Sequence, residues 1–282
     1  NQYHQYYCVD DSLGLPDNNI THIYRDSHNR LWVATVNGVC LYQANGNFKR
    51  VSINSANKNI EKILEDKEGR IFFFTMTDLY QYDEKNNRAI TRLSKIVEKN
   101  CYNFSCHIDR KDVMWIVTSY SVKGYRTRDL KLIAQSPVQS YPIASFLLDG
   151  HQLYISGYNG MQLFDTDTRK WQHLPAALQG LQIPNDMVSG IHPYGEKGNL
   201  LLSTTKHGLL YFNAQEGTIL PQSDKNFPFE VPDMQVNKML TDSKGNLWLG
   251  SEDDGVKTIY RYKDMFNSMP ALQRAIGKQP VL

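Results

Sequence analysis

The stretch that decides the fold runs from Asp26 to Gly38 and reads DSHNRLWVATVNG. An aspartate opens a tight turn, a strand with an aromatic residue follows, and threonine, asparagine and glycine close the stretch. The same pattern returns every forty-odd residues along the chain. Its six copies are marked by Asp26, Asp66, Asp109, Asp149, a degenerate stretch around Pro193, and Asp242. Self-similarity at this period is typical of propeller blades, with four strands in each copy.

The first copy shows how one repeat is predicted to fold. Residues 20–25 alternate apolar and polar side chains, as a half-buried strand does. Residues 31–35 are almost continuously apolar, which favours a strand packed on both faces. Further strands are predicted at residues 39–42 and 48–53, and Gly38 is expected to adopt a positive φ in the loop between strands two and three.

The predicted fold class is all-β, a single β-propeller domain over residues 1–282 built from four-stranded antiparallel blades. The repeats lie near residues 13–54, 55–95, 96–136, 137–175, 176–222 and 223–266, and residues 267–282 are expected to begin the next blade. Residues 3–9 are predicted as an outer strand that joins the last blade and removes an exposed sheet edge. We therefore expect a fragment of a seven-bladed propeller, with six repeats and the start of a seventh.

The repeated aspartates and tryptophans are expected to be structural. An aspartate in a tight turn accepts hydrogen bonds from local backbone amides. The alternative, a calcium loop, lacks most of the acidic ligands that such a site requires. Trp32, Trp115 and Trp248 are predicted to be buried between blades because they are the largest apolar side chains of the pattern.

Composition excludes several classes of partner. The chain has 31 Lys and Arg against 29 Asp and Glu, a net charge of +2, so no strong field favours nucleic acid or anionic lipid. No stretch approaches the ~18 apolar residues that a membrane helix needs. The chain begins at Asn1 without a signal-peptide pattern, and we interpret it as a processed or truncated form.

The four cysteines do not form a metal-binding or redox motif. Cys101 and Cys106 are five residues apart on a predicted strand, which places them on opposite faces and too far apart to bond. Buried thiols are the default expectation, and a bridge between Cys8 and Cys40 stays open.

The chain resembles the two-component regulator propeller family. The repeats of that family combine a leucine-proline-asparagine lead-in, an aspartate turn, a Leu-Trp-apolar-x-Thr strand and an Asn-Gly loop. Leu15 to Tyr42 matches this pattern closely, Asn246 to Ser251 is the next best match, and the copies near 149 and 193 are weak.

The resemblance implies a sensor. Propellers of this family form the periplasmic part of hybrid two-component regulators, frequent in gut Bacteroidetes, and the implied ligands are oligosaccharides released from glycans. A homodimeric, membrane-anchored parent with its histidine kinase outside this chain is also implied. This fragment itself is expected to be neither an enzyme nor a nucleic-acid binder, and no cofactor or metal is expected.

A ligand is expected at the loops that lead into the first strand and join strands two and three, because propellers place both loops on one face. Amides, tyrosines and charged groups there suit a sugar, whose hydroxyls need donors and acceptors and whose ring stacks on aromatic side chains. The predicted ligand-binding residues are Asn37, Asp78, Tyr120, Tyr141, Tyr158, Asn159, Lys206, His207, Glu252 and Asp253. Further polar residues of these loops are Asn18, Asn19, Asn59, Asn185, Asp186, Gln235 and Asp254. Tyr120 and Tyr158 are the strongest candidates because exposed aromatic side chains carry a desolvation cost.

Two other functions remain open at this point. The propeller could be a dimerisation scaffold while another module binds the signal, since sensor kinases work as dimers. It could also be a lyase, because related repeats occur in an enzyme that opens streptogramin antibiotics. In that case His207 with Glu252 or Asp253 is the combination we would nominate for proton transfer.

Overall fold

The structure, a computed structural model, describes residues 13–98, 101, 104–138, 141–157, 160–179, 181, 186–231, 234–251 and 253–260. Within these residues the chain is all-β, apart from one short helix, α1 (Ala176–Gln179). It packs as two compact units. The first lies within Asn1–Leu153 and Phe164–Trp171, and the second within Tyr154–Leu163 and Gln172–Leu282. The described part contains no helix with the length and apolar character of a membrane span.

The strands form six sheets that follow one another along the chain. Sheet one contains β1 (Ile20–Arg25), β2 (Leu31–Thr35), β3 (Gly38–Tyr42) and β4 (Phe48–Arg50). Sheet two contains β5 (Ser52–Ile53), β6 (Lys62–Glu65), β7 (Ile71–Phe74), β8 (Asp78–Asp83) and β9 (Arg88–Ser94). Sheet three contains β10 (Phe104–Ile108), β11 (Val113–Thr118), β12 (Ser121–Arg126) and β13 (Leu132–Pro137).

The remaining three sheets repeat the pattern. Sheet four contains β14 (Pro142–Leu148), β15 (Gln152–Gly157), β16 (Gly160–Asp165) and β17 (Lys170–Gln172). Sheet five contains β18 (Val188–Pro193), β19 (Leu200–Thr204), β20 (Leu209–Asn213) and β21 (Thr218–Pro221). Sheet six contains, among the described residues, β22 (Lys238–Thr241), β23 (Leu247–Gly250) and β24 (Val256–Ile259). Four sheets thus have the predicted four strands, in chain order.

One predicted strand is divided between two sheets. Residues 48–53 were expected to form a single fourth strand, but Phe48–Arg50 pairs with β3 and Ser52–Ile53 pairs in parallel with β9 of sheet two. The reason is packing: Ile53 is buried with Ile63 and Phe73 of sheet two, so the chain crosses to that sheet as soon as β4 ends. The positive φ expected at Gly38 is confirmed, at +134°.

The core of the first unit lies between consecutive sheets. Trp32 of sheet one is fully buried and packs on Phe73 and Tyr82 of sheet two, with ring centroids 5.6 and 4.9 Å apart. Trp115 of sheet three is also fully buried and packs edge-on against Phe164 of sheet four, at 5.3 Å. Both tryptophans therefore have the predicted role.

The prediction is wrong for Trp248. Its side chain is 39% exposed, although it occupies the same place in sheet six as Trp32 does in sheet one. Met239, Leu247 and Leu249 bury the other side of sheet six in the core of the second unit. Trp248 lies on the opposite side of sheet six. Trp32 is covered on the equivalent side of sheet one by Phe73 of the next sheet, whereas no described residue covers Trp248 in the same way.

The marker aspartates of copies one, two, three and six make the expected turns. In the first copy, Asp26 Oδ1 accepts hydrogen bonds from the backbone N–H groups of His28 (3.0 Å) and Arg30 (2.8 Å). Its Oδ2 accepts from the indole Nε1–H of Trp32 at 2.9 Å and from Arg30 Nε at 2.6 Å. Asp109 and Asp242 repeat the arrangement with Trp115 and Trp248.

Some expectations fall on residues that lie outside the described part of the chain. These are the outer strand at residues 3–9 and the next blade at residues 267–282.

Cys40 and Cys106 are free, buried thiols, and burial raises the pKa of each to about 12. The bridge between Cys8 and Cys40 that the sequence left open involves Cys8, which lies outside the described residues.

Candidate functional site

The two kinds of predicted ligand loop lie at the same end of each sheet. Ile20 at the beginning of β1 pairs with Thr35 at the end of β2, and Val188 at the beginning of β18 pairs with Thr204 at the end of β19. The loop before strand one and the loop after strand two are neighbours for this reason. We call this the loop end of a sheet, and the aspartate turns lie at the other end.

A buried hydroxyl fixes the loop between strands two and three. Thr35 Oγ1 accepts the backbone N–H of Asn37 at 3.2 Å and donates to the carbonyl of Gly38 at 3.0 Å. The equivalent residues of sheets two, three, five and six make corresponding bonds to their own loops, and they are Thr75, Thr118, Thr204 and Ser251. This threonine belongs to the repeated sequence pattern, but no role was predicted for it. Its recurrence nine residues after Asp26, Asp66 and Asp109 was the available signal.

The most highly organised loop end belongs to sheet five. The carboxylate of Asp186, whose side chain has no exposed surface, accepts six hydrogen bonds. Its Oδ1 accepts from the backbone N–H of Met187 (2.7 Å) and from both the N–H (2.8 Å) and the hydroxyl of Thr205. Its Oδ2 accepts from the N–H groups of Lys206 (3.0 Å) and His207 (2.9 Å) and from His207 Nδ1 (2.6 Å). A single carboxylate thus holds the loop from Thr205 to His207.

These hydrogen bonds decide the ionisation of Asp186. Burial alone would raise the pKa of its carboxyl, but the bonds from Thr205, His207 and Met187 outweigh burial and hold the pKa far below its ordinary value. Because a carboxylate only accepts, His207 Nδ1 is the donor, and Nε2 is the nitrogen left for a ligand. The His207 side chain is 56% exposed. Asp186 therefore fixes the orientation of the ring through Nδ1, while the rest of the ring is accessible to solvent.

Two further predicted residues join this loop. Lys206 is exposed, although its backbone is held by Asp186. Gln235, in the loop before β22, donates through Nε2 to the carbonyl of Thr205. The structure therefore brings together Asp186, Lys206, His207 and Gln235, whereas His207 is not paired with Asp253 as the lyase hypothesis suggested.

The loop end of sheet three contains an exposed tyrosine and a partly buried glutamate. Tyr120 is 50% exposed, between the buried Thr118 and Ser121. Glu98 Oε1 accepts from Lys123 Nζ at 2.7 Å and from Ser121 Oγ at 2.9 Å, while its Oε2 has no partner among the described residues. Burial alone would raise the pKa of Glu98, but hydrogen bonds, first from Lys123 and then from Thr118 and Ser121, outweigh burial and hold the pKa below its ordinary value. Sequence reasoning missed Glu98, which precedes its strand without a distinguishing motif.

The other predicted residues are more dispersed. Asn37 and Asp253 are exposed in their loops, Asp78 accepts a hydrogen bond from Thr77 Oγ1 at 2.8 Å, and Tyr141 is 36% exposed before β14. Four predicted residues lie outside the described part of the chain: Tyr158, Asn159, Asn185 and Glu252. Among the described residues, no cluster of His, Cys, Asp and Glu is suited to hold a metal ion.

Comparison with known proteins identifies the repeat. Residues 14–37 and 230–253 match the family model of the two component regulator propeller. These stretches contain the first and last marker turns, which are the copies with the strongest sequence pattern. No curated protein matches the chain in sequence.

Solved structures establish the fold. The extracellular domain of the putative hybrid two component system BT4673 from B. thetaiotaomicron superposes with a TM-score of 0.66 at 16% identity, over 89% of this chain and 35% of its own. The corresponding domain of BT3049 from the same organism gives 0.63 at 16% identity, over 92% and 36%. Virginiamycin B lyase from Staphylococcus aureus gives 0.64 at 14% identity, over 86% and 80%.

At such identities the likeness concerns the fold alone. The described residues form an all-β propeller whose six blades are the six sheets described above. It spans about a third of the length of the two extracellular domains.

Proposed function

We propose that this chain, which carries two-component regulator propeller repeats, is a ligand-sensing propeller of a hybrid two-component sensor. The proposed location is periplasmic, in a parent protein anchored in the membrane by a segment outside this chain. The parent would be a homodimer with a histidine kinase. The likeness of fold to the extracellular domains of BT4673 and BT3049 supports this role.

The proposal extends to a seventh blade, because residues 267–282 follow the sixth repeat at the position of the next one.

The ligand we propose is an oligosaccharide derived from a glycan. The observation that carries this choice is the loop held by Asp186. Its backbone is fixed by a buried carboxylate, whereas His207 and Lys206 are exposed. A loop that is already ordered loses little conformational entropy when a ligand binds. The exposed ring nitrogen Nε2 of His207 and the ammonium group of Lys206 can form hydrogen bonds with the hydroxyl groups of a sugar.

The exposed tyrosines support a sugar ligand in a different way. Tyr120 and Tyr141 lie at the loop ends of sheets three and four, and both belong to the first unit. A pyranose ring can stack on such an aromatic face, which removes apolar surface of both partners from water.

Calorimetry tests the proposal. The chain is titrated with a panel of plant and host oligosaccharides, and we expect saturable heat with at least one member. His207→Ala and Lys206→Ala should weaken that binding. Lys244→Ala is the matched control, since Lys244 is an exposed lysine of the same unit at the turn end of sheet six. Equal affinity in all three variants would remove the Asp186 loop from the site.

Two further measurements separate the alternatives. Self-association that depends on protein concentration, without heat from any sugar, would favour a dimerisation scaffold. Release of a cleaved product from a streptogramin, abolished by His207→Ala, would favour a lyase. Both would contradict ligand sensing by this propeller.

A further inference from the structure

Sheet six has one uncovered side. Residues at alternate positions of a strand point to the same side of the sheet, and Leu240, Trp248 and Thr258 are paired across its three strands. Lys238, Gly250 and Val256 form the neighbouring row on that side. Leu240 is 63% exposed, Trp248 39% and Val256 66%. We call this side, with its three apolar side chains, the Trp248 face.

The equivalent side is covered in the other sheets. The residues at the place of Trp248 are at most 8% exposed in all five, and they are Trp32, Phe72, Trp115, Tyr154 and Leu201. The place of Leu240 is taken by Tyr24 in sheet one and Leu64 in sheet two, and both pack in the core. The exposure of the Trp248 face is thus specific to sheet six.

In the sheets whose aromatic contacts are known, the residue at the place of Trp248 is covered by the next sheet along the chain. Trp32 of sheet one packs on Phe73 of sheet two, and Trp115 of sheet three packs on Phe164 of sheet four. In sheet five, His192 Nε2 meets Thr241 Oγ1 of sheet six at 2.7 Å. By the same order, the Trp248 face requires a segment that follows β24.

We propose that residues 261–282 bind the Trp248 face and occupy the place that a following sheet has in the other repeats. This segment continues directly from the described end of sheet six. Its sequence contains apolar side chains that could cover the face, among them Tyr262, Met265, Phe266, Leu272 and Ile276. Burying Leu240, Trp248 and Val256 removes apolar surface from water, which stabilises the docked segment.

Tryptophan quenching tests the proposal without any sugar ligand. Chains 1–282 and 1–260 are each prepared with Trp248 and with Trp248→Phe, so that the difference in emission reports Trp248. We expect acrylamide to quench Trp248 severalfold more strongly in chain 1–260. Equal quenching in the two chains, with both monomeric by sedimentation, would overturn the proposal.

A second measurement uses the full chain alone, in case chain 1–260 does not fold. Leu240→Asp should release the segment, so that trypsin cleaves after Arg261, Lys263, Arg274 and Lys278 faster than in the parent chain. Leu132→Asp is the matched control, because Leu132 is 43% exposed at the beginning of β13. Equal cleavage in both variants would contradict docking. A dimer of chain 1–282 that Leu240→Asp dissociates would instead assign the face to a second copy.

Discussion

The indole Nε1 of Trp32 donates to Oδ2 of Asp26 over 2.9 Å, and neither side chain has any exposed surface. The repeat thus links its turn to its core through one hydrogen bond. Asp242 and Trp248 make the same bond at 3.0 Å, but there the indole is 39% exposed. The two pairs have identical chemistry and different access to water.

We expect Asp26→Ala to destabilise the protein by about 3 kcal/mol, because it leaves the buried Trp32 Nε1–H and the turn amides without an acceptor. Asp242→Ala is the matched control, and its effect should be clearly smaller since water can replace the lost acceptor at Trp248. Urea denaturation of both variants measures the difference. Equal losses would show that water does not reach Trp248.

Gly124 should not tolerate a larger side chain. A Cβ at this position would lie 2.9 Å from Cη2 and Cζ3 of the fully buried Trp115. We expect Gly124→Ala to cost about 1–3 kcal/mol through overpacking. In Gly250→Ala the new Cβ would lie 3.8 Å from Lys238, so that variant should change stability by less than about 0.5 kcal/mol. Thermal unfolding distinguishes the two, and a neutral Gly124→Ala would mean that Trp115 moves easily.

His107 should make stability depend on pH. Burial and the nearby charge of Lys62 lower its pKa from 6.5 to about 4, against the hydrogen bond to the carbonyl of Ser145. Between these values the unfolded chain binds more protons than the folded chain, so falling pH destabilises the fold. The loss would reach about 3 kcal/mol below pH 4, as an order of magnitude.

The variant His107→Gln should flatten the pH dependence of the unfolding free energy between pH 6.5 and 4. Denaturant titrations of the parent and the variant across this range, with pH 8 as the reference, measure it. Parallel curves for the two proteins would show that His107 is protonated as easily in the folded state as in the unfolded one.

Asp186 should control the order of its loop. Asp186→Asn retains the size of the side chain but replaces one acceptor oxygen by a donor, which opposes the N–H groups of Lys206 and His207. We expect their amide hydrogens to exchange faster, as measured by NMR. Asp254→Asn is the control, since among the described residues its carboxylate accepts a single long bond, from Ser251 Oγ at 3.4 Å. Unchanged exchange in Asp186→Asn would show that the loop is held by other contacts.

Local patterns were sufficient to predict much of the fold. The bounds predicted for the first two strands agree with β1 and β2, because alternation and turn chemistry are properties of neighbouring residues. The division of residues 48–53 was not predictable in this way. It depends on Ile53 entering the core of another sheet, which no local pattern records.

The candidate site was predictable only as a set of loops. Asp186 and His207 were both named, but they are 21 residues apart and belong to different loops, so no spacing rule joins them. Glu98 was missed because its contact with Lys123 is likewise made across the sheet. The exposure of Trp248 depends on whether a neighbouring sheet covers sheet six. It was not predictable, because the sequence pattern contains information about one sheet only.

The hydroxyl that follows the second strand's apolar core residues in five of the six sheets has an evolutionary consequence. Thr35, Thr75, Thr118, Thr204 and Ser251 each tie down a loop from within its own sheet. Such a loop can change in length or in sequence while the loops of the neighbouring sheets retain their conformation. New specificity can therefore arise by small insertions in single repeats, and engineered grafts should be accepted at these positions one at a time.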